Sequence, residues 1–188
     1  EGLFADLSRD SGPALSFRLA SGTYGDVLSW LDRELVDLAV LTPGVFAELL
    51  ERSASGPPPC EYLASVGLPP ASWQLATEQR RQPGFHYEYE SIAVVPQDSP
   101  LRDSRDLVRA VESRRARLLF VHPLSVSGHI APDFALQQAG IDVPPELVQF
   151  TYSHASSLQL VGTPAADHDL VAFVWDGVAQ EEKVAPGL

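Results

Sequence analysis

The chain has 188 residues, 45% of them hydrophobic and 20% charged, enough apolar material for a packed core and too much for a disordered segment. Its formal charge of −12 argues against nucleic acid as a partner, since such a chain repels phosphate backbones at long range. No apolar run approaches the ~18–20 residues of a membrane-spanning helix, so the chain is not expected to span a membrane.

The same charge means that a bound anion has to be held by local features, and helix N-termini, with their unpaired N–H groups and dipole, are the obvious ones. Cys60 is the one cysteine, so no intramolecular disulfide forms. The sequence opens at Glu1 and contains no methionine, which leaves room for a signal peptide, lipid anchor or fused partner before it.

In chain order, Leu3, Phe4 and Leu7 predict a short opening helix that stops at Gly12-Pro13. Leu15 to Leu19 alternates like a strand, and Val27, Leu28, Leu31 and Leu35 fall at helical spacing. Asp37 to Leu41 reads as a buried strand. Pro43 suits the first position of the next helix, which carries Phe46, Leu49 and Leu50. From Ser53 to Ser72 the proline-rich sequence predicts loop, with one short helix around Glu61 to Val66.

Tyr87 to Val95 is extended and rich in β-formers, and Pro96 is a natural place to pass from one lobe to another. Asp103 or Ser104 caps a helix to about Arg114, and Arg117 to Val121 is a strand. A helix over Gly128 to Ala139 is stopped by Gly140 in a left-handed cap. Val148 to Phe150 is a strand, Ser153 to Val161 a helix, Leu170 to Val174 a last strand, and Glu181 to Leu188 a frayed tail. Alternating strands and helices predict an α/β fold with mainly parallel sheets and flanking helices. No internal repeat is evident.

Several of these elements carry candidate ligand contacts. Ser125, Val126, Ser127 and Gly128 join a strand to a helix, where hydroxyls and N–H groups suit the oxygens of a tetrahedral anion; either serine also suits a plain N-cap. His154 stands at another helix start, where a neutral imidazole is favoured over a charged one; the alternative is a satisfied core histidine. Thr42 and Asp176 follow strands, at the carboxyl ends where α/β sheets place ligands. Tyr24 opens a helix with a hydroxyl to offer, and Phe46 is either an apolar wall or core.

Ser127, His154 and Asp176 are the residue types of a nucleophilic triad, but no Gly-x-Ser-x-Gly elbow is present and no catalytic residue is expected. Asp167-His168-Asp169 are adjacent in sequence, lack His-x-x-x-His spacing and do not make a zinc site. Neither metal nor cofactor is expected.

The segment Ser91–Val178 resembles the phosphonate- and phosphate-binding family of periplasmic solute receptors, which have the type II binding-protein fold. The resemblance rests on Ser91-Ile92-Ala93-Val94-Val95-Pro96-Gln97-Asp98-Ser99, Ser125-Val126-Ser127-Gly128, Ala135 to Ile141, Ser153 to Gln159 and His168 to Phe173. Upstream, Tyr24 to Phe46 is similar to the family's first lobe.

The resemblance implies two lobes, 1–90 with 176–188 returning to it and 91–175. The first is incomplete here, or completed by sequence outside this chain, because the family's opening strand and closing strand and helix have no evident counterparts. It also implies a small anionic ligand, with His154 donating to a ligand oxygen, held between the lobes for uptake through an ABC transporter permease. The location is then periplasmic or otherwise extracytoplasmic, with a lipid anchor as one form of attachment. Val126 stands where the family has threonine, Thr42 where it has glycine, and Phe46 replaces an aromatic with a hydroxyl. Two alternatives stay open: a ligand-sensing module fused to a signalling domain of a larger protein, and a small hydrolase.

Overall fold

A computed structural model of the chain describes residues 18–53, 56, 60–63, 90–163 and 169–178. The chain divides into two compact units, Glu1–Val40 and Leu41–Leu188.

In the first unit, helix α1 (Tyr24–Asp32) begins where its sequence allows a capping box. The Thr23 side chain accepts from the Asp26 N–H at 3.2 Å, and the Asp26 carboxylate accepts from the Thr23 N–H at 2.9 Å. Leu28 and Leu31 are its buried face. The helix stops before Leu35: Glu34 turns left-handed (φ 53°), and the N–H groups of Glu34 and Leu35 close on the carbonyls of Leu31 and Trp30. Leu35, expected on the helix, is therefore 57% exposed.

The strand expected over Asp37–Leu41 is not formed, and Val40 is 63% exposed. A strand exists only through pairing, and among the described residues no segment lies alongside this one to take its backbone hydrogen bonds. Arg18 and Leu19, the end of the other expected strand, are likewise outside any strand. The opening helix, residues 15–17 and the C-terminal tail lie outside the described residues.

The second unit opens with helix α2 (Pro43–Arg52), whose proline occupies the first turn, where a missing N–H costs nothing. Glu61, Tyr62 and Leu63 carry no helix, and residues 64–66 of the short helix expected there are outside the described set. Strand β1 (Ser91–Val94) is followed by α3 (Ser104–Glu112), β2 (Ala116–Phe120), a helical segment made of a π turn (Val126–Ile130) and α4 (Ala131–Gln138), β3 (Val148–Phe150), α5 (His154–Val161) and β4 (Asp169–Trp175). Asp103 caps α3 by accepting from Arg105 and Asp106, and Ser153 caps α5 by accepting from Ser156. Gly140 (φ 75°) ends α4, as its position predicts.

The four strands form one sheet in the order β1-β4-β2-β3, with β1 antiparallel to β4 and the other pairs parallel. The central strands are apolar on both faces, as parallel strands covered on both sides must be. Leu118, Phe120, Val171 and Phe173 face one side with Ala110 and Val111 of α3 and Leu136 of α4. Leu119 and Ala172 face the other with Val161 of α5, and Val174 with Leu158. Helix α4 thus carries the chain from β2 out to the edge strand β3 on one face, and α5 brings it back past β2 to β4 on the opposite face. The connections after β2 and β3 therefore leave to opposite faces of the sheet, and it is at the carboxyl ends of such strands that α/β sheets place ligands.

Candidate functional site

The carboxyl ends of β2 and β3 carry the two turns that the sequence singles out. After β2, Val121 donates to the Gly128 carbonyl at 2.9 Å and Ser125 to the His122 carbonyl at 2.9 Å, folding the loop back on the start of the next helix. The Ser125 hydroxyl accepts from the Gly128 N–H at 3.1 Å, so the capping alternative for Ser125 is real. Ser127 is left without a capping role, and both serines are buried.

Ile130 donates to the Ser125 carbonyl at 3.0 Å and Ala131 to that of Val126, each five residues back, which gives the wide π turn. As the first two residues of a helix, Val126 and Ser127 have N–H groups with no acceptor in the helix. A Cβ on Gly128 would lie 2.5 Å from Val121 Cβ, so the turn closes only with glycine there.

After β3, Thr151 and Tyr152 donate to the carbonyls of Phe120 and Val121, at 2.9 and 2.7 Å. The second turn is thereby fastened to the first. The Thr151 hydroxyl lies 2.6 Å from that of Ser157 and also reaches the carbonyls of Phe120 and Ser153. This part-buried hydroxyl pair, which carries no sequence motif, ties the turn after β3 to the first turn of α5. His154 is the first residue of α5, and its Nδ1 is buried with no hydrogen-bond partner.

Burial lowers the His154 pKa from its ordinary value of 6.5, so the ring is neutral. In the unfolded chain it titrates near 6.5. As pH falls through that value the unfolded state takes up a proton that the folded state refuses, and stability declines until the folded pKa is passed. Urea unfolding at pH about 7.5 and about 5.5 is expected to show a smaller loss in His154→Ala than in the parent protein. His122 is shifted the same way, first by burial and then by His129, and remains in both proteins, so the difference isolates His154. An equal loss in both proteins would remove the burial argument.

Helix α2 also starts near this edge of the sheet. A Cβ on Gly44 would sit 2.2 Å from the Leu124 carbonyl oxygen, so the helix start lies directly on the loop after β2. Thr42 takes the N-cap position, yet its side chain makes no capping bond, and its Oγ1 is buried without a partner. Phe46 is half-buried, its ring 6.1 Å from that of Tyr62.

Asp176, after β4, is paired with Glu90: its Oδ1 accepts from the Glu90 N–H at 3.1 Å, and its own N–H donates to the Glu90 carbonyl at 3.0 Å. It ties the end of β4 to the start of β1. Beside it Ser91 donates to the Ser127 carbonyl at 2.6 Å, a contact that holds the serine turn to β1 and that no local pattern announces. Tyr24 opens α1 in the other unit, half-buried there.

Thr42, the serine turn and His154 thus belong to three helix starts set against one edge of one sheet. None of these turns contains Lys or Arg, so positive potential comes from amides. A serine–histidine–acid relay gains no support, because His154 Nδ1, the atom an acid would hold, has no partner and the Asp176 carboxylate serves Glu90. Among the described residues no group of three or more His, Cys, Asp or Glu is placed to hold a metal, and no helix is long and apolar enough to cross a membrane.

An α/β sheet with ligand-type turns at its carboxyl edge is the build of a small-molecule-binding domain. The family model of the ABC transporter phosphonate periplasmic substrate-binding proteins matches residues 1–185, and the chain belongs to that family. Its job is substrate binding for an ABC transporter, with a small molecule as ligand and an extracytoplasmic location, and the family is in general not enzymatic. Comparison with curated proteins finds no match.

Proposed function

We propose that the domain holds a small oxyanion, a phosphonate, phosphate or phosphate ester, and hands it to an ABC-type permease for uptake. The observation that carries this reading is the pair of buried polar atoms without partners, Thr42 Oγ1 and His154 Nδ1, each at a helix start. An unsatisfied buried polar group is costly and is retained where something else completes it. The amides of Val126 and Ser127, the hydroxyls of Ser125 (which accepts from Gly128 and keeps its own proton to donate) and Ser127, and a neutral His154 then supply donors to the oxygens.

Two lobes, 1–90 with 176–188 returning and 91–175, closing on the ligand, belong to the same proposal and are supported by family membership. So do ligand contacts from Tyr24, Phe46 and Asp176.

A thermal-shift screen against phosphonates, phosphate esters, sulfonates and amino acids tests the reading. Ligand at a hundred times Kd stabilises by about 2.7 kcal/mol. For a domain of this size that raises Tm by roughly 5–10 °C. A rise with the phosphorus oxyanions alone is expected, and no rise at millimolar concentrations of any of them overturns it. His154→Ala is expected to lower affinity for the selected ligand by about tenfold with the fold intact, as loss of one hydrogen bond to a charged group implies. An unchanged titration curve would take His154 out of the site.

A further inference from the structure

Three residues other than glycine have a positive φ among the described residues: Glu34 (53°), Arg114 (56°) and Tyr152 (63°). The first two end helices. Each follows the last turn of α1 or α3 and, with the residue after it, returns N–H groups to the last helical carbonyls. Tyr152 ends no helix. It stands between β3 and the cap of α5, in the turn joined to the one after β2. A large side chain is disfavoured in this region because its Cβ crowds the following carbonyl, and glycine or asparagine is the usual occupant.

The Tyr152 backbone is held there by its bond to the Val121 carbonyl, 2.7 Å long. Its ring meets the ring of His122, in the turn after β2, edge-on, centroids 5.8 Å apart at 65°. Even so, Tyr152 is 67% exposed, so core burial does not offset the strain. Backbone strain of this kind concentrates where a side chain has to be aimed. The exposed ring lies beside His122 of the turn after β2, and its residue stands two positions before His154.

We propose that Tyr152 determines specificity: its ring receives the organic substituent of the oxyanion whose charged head is held at the helix starts. This rests on the oxyanion reading above. A ring face and edge favour an apolar or planar group and gain little from an anion that carries none. The ligand class is accordingly an organophosphorus acid with a sizeable carbon substituent.

The test titrates phenylphosphonate and methylphosphonate calorimetrically into the parent protein, Tyr152→Gly, Tyr152→Asn and Tyr152→Phe, with ligand-free Tm measured for each. The glycine and asparagine variants should lose about three- to tenfold in affinity for phenylphosphonate. Methylphosphonate should change by less than about twofold. Tyr152→Phe should behave as the parent, and the ligand-free Tm of the glycine and asparagine variants should not fall, since both residues tolerate the left-handed backbone.

Equal losses for both acids, or an unchanged preference, overturn the role of Tyr152 and leave the oxyanion reading standing. A parent protein that binds neither acid overturns the specificity role, whereas the oxyanion reading stands or falls separately, on the thermal-shift screen above.

Discussion

Replacing Ser125 and Ser127 together by alanine is expected to weaken oxyanion binding by about a hundredfold or more, the worth of two hydrogen bonds to a charged group. The two positions should separate when changed singly. The Ser125 hydroxyl accepts from Gly128 N–H, so Ser125→Ala removes a cap and costs about 0.5–2 kcal/mol of stability besides any affinity. Ser127 has no capping role, so Ser127→Ala should cost affinity with Tm nearly unchanged. Titration calorimetry beside thermal unfolding reads both quantities. A double variant that loses thermal stability and keeps its affinity would show the turn to be a cap and nothing more.

Gly128→Ala should damage stability and binding together. The added methyl would lie 2.5 Å from both Cβ and Cγ2 of Val121, and 2.8 Å from the Ser125 hydroxyl. Val121 is buried, and its carbonyl accepts from Tyr152 at 2.7 Å, so it has no direction in which to yield without moving the second turn. Overpacking of this sort costs about 1–3 kcal/mol. In a domain of this size that lowers Tm by roughly 2–4 °C for each kcal/mol. Because the displaced atoms join the two turns, affinity should fall by tenfold or more as well, a magnitude on the order of one lost hydrogen bond to a charged group. Stability and affinity both within error of the parent would show that the turn can relax, and that its close packing does not set the site.

Much of the second unit could be read from local patterns. Asp103, Ser153 and Gly140 cap their helices because a cap is an interaction over two to five residues, and the sequence lists both partners side by side. Pro43 marks a helix start for the same kind of reason. The strands Ala116–Phe120 and Asp169–Trp175 were legible because strands covered on both faces are apolar runs, and the edge strand Val148–Phe150 from its β-forming Val and Phe. The apolar run misled at Asp37–Leu41, because a pattern shows that a segment can pair and does not supply the strand it pairs with. At Leu35 helical spacing carried on past the point where Glu34 had already turned the backbone.

The serine turn and His154 were visible as residues at helix starts, and the family to which they pointed is the one the chain belongs to. Their mutual position was not visible. It follows from α4 and α5 lying on opposite faces of the sheet, and from hydrogen bonds such as Tyr152 to Val121 and Ser91 to Ser127, which join residues more than 30 positions apart. Tertiary structure likewise showed that Ser125 rather than Ser127 takes the cap, that Asp176 is bonded to Glu90, and that Tyr152 holds a left-handed backbone. Composition and short-range spacing determine which segments become helices and where those helices begin. Which of those beginnings meet is decided by the order of strands in the sheet, since pairing energy is gained between segments whose sequences carry no mark of each other.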